Sequence, residues 1–270
     1  MFESITKIFQ EIPLWLYRLI HARVQANYFP QKALVIVAHP DDPEYFFAGT
    51  IARWVRGGTV ARYIICTSGQ LGNKDRSLSA ASIASLREKE QIAAANSIGV
   101  HEVVFLGHQD GFLENTIVLR RQLVREIRLF RPEVVIINDP TLFYGDDFIN
   151  HPDHRAAAVA ALEAIYPHAG LQTSFMELEA EQIQPYHARC IYIQTWQKPN
   201  LWVDITDTID QKILALSKHT SQIGQENISE KLRESAARSA KFTGIKYAET
   251  FRVITLINDS EWNESIKTIK

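Results

Sequence analysis

The strongest constraint on how this chain folds is a series of short, continuously apolar and β-branched runs. "ALVIVA" at 33–38, "VARYIICT" at 60–67, "EVVFL" at 102–106, "EVVIIN" at 133–138 and "RCIYIQT" at 189–195 lack the alternation of a strand with one wet face. They read as strands buried on both faces. Segments of helical composition at 45–56, 80–98 and 116–130 separate the first four. Strand alternating with helix predicts an α/β fold with a mostly parallel sheet flanked by helices on both faces. Later helices are expected at 152–165, 205–219 and 229–242, and a final strand within "YAETFRVITLI".

In such a sheet, ligands bind beyond the carboxyl ends of the strands. The first strand is where a dinucleotide-binding protein carries G-x-G-x-x-G, but here the chain reads "AHPDDPEYFFAG". Two carboxylates at that place would repel a pyrophosphate, which argues against a dinucleotide. Asp41 and Asp42 could simply cap the next helix. A second cluster, "HPDHR" at 151–155, also follows a strand end, and no local turn accounts for both. Imidazole and carboxylate together suit zinc, whose catalytic sites hold three protein ligands and leave the fourth position to water. His39, Asp42 and His154 form one such set, and Asp41 is then free to handle a proton.

The segments "AHPDDPE" with "AGT", then "TSGQLG", "LREKE", "GHQDG" and "HPDHRAA", in this order and at these separations, resemble the LmbE/PIG-L family of zinc-dependent deacetylases. The resemblance runs from about residue 33 to 220, with "KYAETFRVI" matching a weaker C-terminal pattern. It implies a Rossmann-like fold, a Zn²⁺ cofactor and removal of an N-acyl group, normally acetyl, from an N-acetylglucosamine-containing sugar or conjugate. Position by position, it implies that His39, Asp42 and His154 ligate the metal and that Asp41 is the general base. It gives His151 the task of stabilising the oxyanion or protonating the leaving amine, and assigns Arg87 and Asp110 to the sugar hydroxyls. Asp153 is expected to orient a ligand histidine from behind.

Charge and composition narrow the partners. With 29 basic and 31 acidic residues the chain has no global field that would draw in nucleic acid. A small N-acylated sugar fits better. Residues 1–30 read as an N-terminal amphipathic helical extension ahead of a catalytic domain at 31–270. Ile5, Ile8, Phe9, Ile12, Trp15, Leu16, Leu19 and Ile20 form one apolar stripe, expected to pack on the domain or on a second copy in a homo-oligomer. Charged residues interrupt it, so stable membrane insertion is not expected. Cys66 and Cys190 lie in apolar runs without CxxC spacing, as buried reduced thiols of a cytoplasmic protein would. Two other readings keep the metal. A Mg²⁺ site for phosphoryl transfer is disfavoured by two imidazoles. A carbohydrate-binding or assembly module would need a closed site, with Glu44 or His151 as fourth ligand. Trp196 and Trp202 could line a sugar cleft or pack in the core.

Overall fold

The computed structural model describes residues 23–25, 27–72, 77–223 and 227–268. Its strands are β1 Val24–Gln25, β2 Lys32–Val37, β3 Val60–Thr67, β4 Glu102–His108, β5 Val134–Asn138, β6 Cys190–Gln194, β7 Leu201–Asp204 and β8 Ala248–Thr255. They form one sheet in the order β1-β7-β8-β6-β5-β2-β3-β4. Every pairing is parallel except those of β8, which runs antiparallel to both β6 and β7.

The helices are α1 Asp42–Phe46, α2 Ala48–Arg56, α3 Ala80–Ser97, α4 Ile117–Phe130, α5 Pro152–Glu163, α6 Glu177–Ala180, α7 Ile209–Leu216, α8 Thr220–Ile223, α9 Ile228–Ala240 and α10 Asp259–Thr268. They cover both faces, and β2 shows why its sequence is apolar throughout. Ala33, Val35 and Val37 point into a core shared with Ile51 and Trp54 of α2 and Ala95 of α3. Leu34 and Ile36 point the other way, against Leu119 and Leu123 of α4 and Ala157 and Ala160 of α5. Successive side chains of a strand alternate faces, so both sets must be apolar. Each fully buried Val, Leu or Ile contributes about 1.5–3 kcal/mol.

Three expectations are revised. The segment 45–56 is two helices, because Phe47 at φ −146°, ψ 15° ends α1 through its N–H to Pro43 and opens α2 through its carbonyl to Ile51. The helix expected at 205–219 shrinks to α7, since Thr208 N–H closes a turn onto Ile205 O at 3.0 Å. Strand β7 was not anticipated. Its Trp202 is fully buried and donates its indole N–H to Ser239 O at 3.0 Å, which makes it a core residue.

Residues 1–22, which hold the apolar stripe, lie outside the described residues. Within the stretch 1–30, Val24–Gln25 pairs with Trp202–Val203, and Tyr28 Oη–H donates to Glu133 at 2.8 Å.

Candidate active site

Strand β2 lies between β3 and β5. The chain leaves β2 towards β3 on one side and leaves β5 towards β6 on the other, so a crevice opens beyond the carboxyl ends of β2 and β5. The loop after β2 carries His39 and Asp41, α1 opens on Asp42, and α5, which follows β5, has His151 at its N-cap. The two motifs therefore meet in one cleft of about 440 Å³, bordered further by Tyr45, Phe46, Leu71, Arg87 and Asp110.

Ligand atoms of His39, Asp42 and His154 lie within 4.8 Å of one another. Asp42 Oδ1 is 3.0 Å from His154 Nε2, and Asp42 Oδ2 is 3.7 Å from His39 Nδ1. The far nitrogen of each ring is engaged elsewhere. His39 Nε2 faces Asp110 Oδ1 at 3.1 Å and Asp153 Oδ2 at 3.3 Å, and His154 Nδ1 faces Asn150 Oδ1 at 3.1 Å. Such partners fix the tautomer and turn the other nitrogen towards a metal. Two imidazoles and one carboxylate, converging with their other atoms satisfied, fit a divalent metal ion.

Ligand atoms of His39, His151 and Asp153 are equally close. That trio is already committed, because Asp153 accepts from Gly111 N at 2.7 Å and Leu113 N at 3.2 Å as well as facing His39. Fully buried, Asp153 ties the loop at 110–113 and the His39 ring together.

Electrostatics separates the two adjacent aspartates. For Asp42, burial works against the charge, but the His154 and His39 rings outweigh it and hold the carboxyl below its usual range. For Asp41, burial and the charge of Asp42 raise the carboxyl, with Arg87 opposing. Burial disfavours charge on the His39 ring too, yet its bonds to Asp110 and Asp153 and the charge of Asp42 lift it to about 10. A cation would take the place of that proton. His151 is lowered, first by desolvation and then by the neighbouring His39 charge. Its Nδ1 accepts from Asp153 N at 3.2 Å, so a neutral ring carries its proton on Nε2.

Two residues expected at sugar hydroxyls also make contacts within the protein. Arg87 is buried, and its guanidinium donates to Gly69 O and Pro40 O, both at 2.8 Å, and to Asp41 Oδ2 at 3.2 Å. A Cβ at Gly69 would lie 2.2 Å from Arg87 Nη1, so this approach requires glycine. Asp110 faces His39 and accepts from Leu71 N at 2.8 Å. Both still border the cleft.

Glu44 is fully buried, with both oxygens bonded to Gln91 Nε2 and one to His219 Nε2. It has no free oxygen for a metal or a water. Gln91, Asn150 and His219 had no role in the sequence reading. The i,i+4 spacing of Arg87 and Gln91 on α3 is a signal that could have flagged the first of them.

The GlcNAc-PI de-N-acetylase (PIG-L) family matches residues 34–165. A diacetylchitobiose deacetylase of Thermococcus kodakarensis is 32% identical over 227 residues, covering 83% of either chain. A 1D-myo-inositol 2-acetamido-2-deoxy-alpha-D-glucopyranoside deacetylase of a Mycobacterium species is 28% identical over 233 residues, 71% of this chain and 74% of that one. Among solved structures, N,N'-diacetylchitobiose deacetylase from Pyrococcus horikoshii matches with a TM-score of 0.78 at 29% identity, covering 94% of this chain and 92% of that one. With the His/Asp/His cluster in the same cleft as both family motifs, the chain belongs to the PIG-L family and is a metal-dependent, hydrolytic deacetylase.

Proposed function

We propose that the protein uses Zn²⁺ to hydrolyse the acetamide of a small N-acetylglucosamine-containing sugar, with diacetylchitobiose the first compound to try. The observation that carries this reading is the convergence of His39, Asp42 and His154 beside Asp41, in a chain related to a diacetylchitobiose deacetylase over most of both lengths.

An amide is a poor electrophile and its amine a poor leaving group, so hydrolysis needs an activated water, a stabilised oxyanion and a proton for nitrogen. Held by His39, Asp42 and His154, zinc would supply a Lewis acid that polarises the carbonyl and brings the pKa of water to about 7. Asp41, raised by burial and by Asp42, is suited to accept the proton of the attacking water. His151, lowered and exposed at the rim, offers its Nε2–H to the developing oxyanion or to the leaving nitrogen. Asp153 and Asp110 steady His39 from behind, and Arg87 steadies Asp41.

A structural metal site in a binding module would want a fourth protein ligand. The full engagement of Glu44 speaks against that candidate. Free, buried Cys66 and Cys190 support a reducing, cytoplasmic setting. Among the described residues no helix is long and apolar enough to cross a membrane. We assign the stripe at residues 5–20 to a contact between copies of the chain.

The test is metal analysis of the purified protein coupled to amine release from N-acetylglucosamine, diacetylchitobiose and related conjugates. The expected result is release that chelation abolishes and Zn²⁺ restores. Bound metal with no amine released from any of them would favour the binding module.

A further inference from the structure

Asp41 holds a backbone conformation that aspartate does not favour. Its φ of 88° lies in the left-handed region, at a cost on the order of 1–2 kcal/mol for a residue with a Cβ. Something must hold it there. Its N–H donates to Gln91 Oε1 at 2.9 Å. Gln91 is fully buried, and its Nε2 lies 3.0 and 3.1 Å from the two oxygens of Glu44. Glu44, also fully buried, meets His219 Nε2 at 3.1 Å, and His219 is as deeply enclosed.

The direction of these bonds has one solution. A carboxylate accepts and cannot donate, so Gln91 must turn its Nε2 towards Glu44, and Oε1 then faces the Asp41 N–H. A flipped amide would set oxygen against two oxygens and N–H against N–H. His219 lies just beyond α7, outside the 34–165 family match. The chain of bonds therefore couples a distant C-terminal segment to the loop after β2. Neither Gln91 nor Glu44 borders the cleft, and Gln91 acts on the Asp41 peptide while Arg87 acts on its carboxylate.

We propose that Gln91, Glu44 and His219 are positioning residues that fix the peptide of Asp41 and thereby aim its carboxylate at the attacking water. This rests on Asp41 being the general base. The role is in orientation only, since none of the three touches a reacting atom.

The test exchanges the two groups. In the double variant Glu44→Gln/Gln91→Glu three of the four contacts have a counterpart, and the one between Gln91 Nε2 and Glu44 Oε2 is lost. The carboxylate at position 91 accepts from the Asp41 N–H and from the amide at position 44, whose oxygen faces His219 Nε2. Gln91→Glu instead sets two carboxylates face to face, and Glu44→Gln leaves Gln91 Nε2 one acceptor oxygen in place of two. Four quantities are measured for each variant: kcat and KM per metal-loaded chain, zinc per chain, and hydrogen exchange at the Asp41 amide. Each single variant should lose kcat by about 10- to 100-fold, the scale of an ångström-sized misplacement. KM should move by less than about threefold, zinc should stay bound and the Asp41 amide should exchange faster. The double variant should recover part of both kcat and protection relative to Gln91→Glu. If a single variant does not fold, Gln91→Met, close in volume and without an acceptor, should show the same loss. Parental kcat in the single variants, or a double variant no better than the worse single one, overturns the network when Asp41→Asn is impaired in the same assay. Near-parental turnover in Asp41→Asn overturns the base assignment, and this proposal with it.

Discussion

Behind each candidate ligand histidine stands a group that decides which ring nitrogen faces the cleft. Asp110 and Asp153 do this for His39, and Asn150 does it for His154. Asp153→Ala should weaken zinc binding by about 10- to 100-fold, read by competition with a chelator, because His39 Nε2 loses the carboxylate behind it. Asn150→Ala should weaken it too, whereas Asn150→Asp keeps an acceptor for His154 Nδ1 and should bind zinc nearly as the parent does. Unchanged affinity in Asp153→Ala would mean that the His39 ring is oriented by Asp110 alone. The motifs of His39, Asp42 and His154 are legible in the sequence as clusters at strand ends, which a parallel sheet brings together. It could not show where side chains point. The resemblance puts Asp110 and Arg87 at sugar hydroxyls, and the fold adds that one faces His39 and the other grips Asp41. His219 had no local signal at all, since only the folded chain brings it to Glu44.

The elements that frame the site are joined by polar ties in the core. Glu249 of β8 accepts from Gly49 N at 3.0 Å and Thr50 N at 2.7 Å, at the first turn of α2, and from Lys212 of α7 at 2.5 Å. Both partners of that ion pair are almost wholly buried. Glu249→Ala should destabilise the fold by about 3–5 kcal/mol in urea denaturation, because it leaves Lys212 buried without its partner. Replacing both residues with methionine should recover much of that loss; a single variant as stable as the parent would contradict the tie. The central strands were readable because burial on both faces demands unbroken apolar runs. Strand β7 has four residues, too few to show a period, and the break at Phe47 is hidden because apolar residues continue through it. The antiparallel course of β8 follows from pairing between distant segments, which no local pattern encodes.

At the scale of the molecule, the N-terminal segment and the catalytic site should be separable. Deleting residues 1–22 keeps β1 and Tyr28, and should change the oligomeric state while zinc content and turnover persist. An unchanged subunit number would contradict the contact assigned to the stripe. Deleting through residue 29 should also lower the melting temperature, because Glu133 loses the Tyr28 hydroxyl and β7 loses its edge partner. We propose that two neighbouring aspartates divide the work, Asp42 holding metal and Asp41 handling a proton. The direct measurement is zinc per chain and kcat for Asp41→Asn and Asp42→Asn, side by side. Asp41→Asn should keep its zinc and lose about 10²- to 10⁴-fold in kcat, the contribution of a positioned general base. Asp42→Asn should lose zinc and activity together. Comparable zinc loss in both variants, or near-parental turnover in Asp41→Asn, would contradict it.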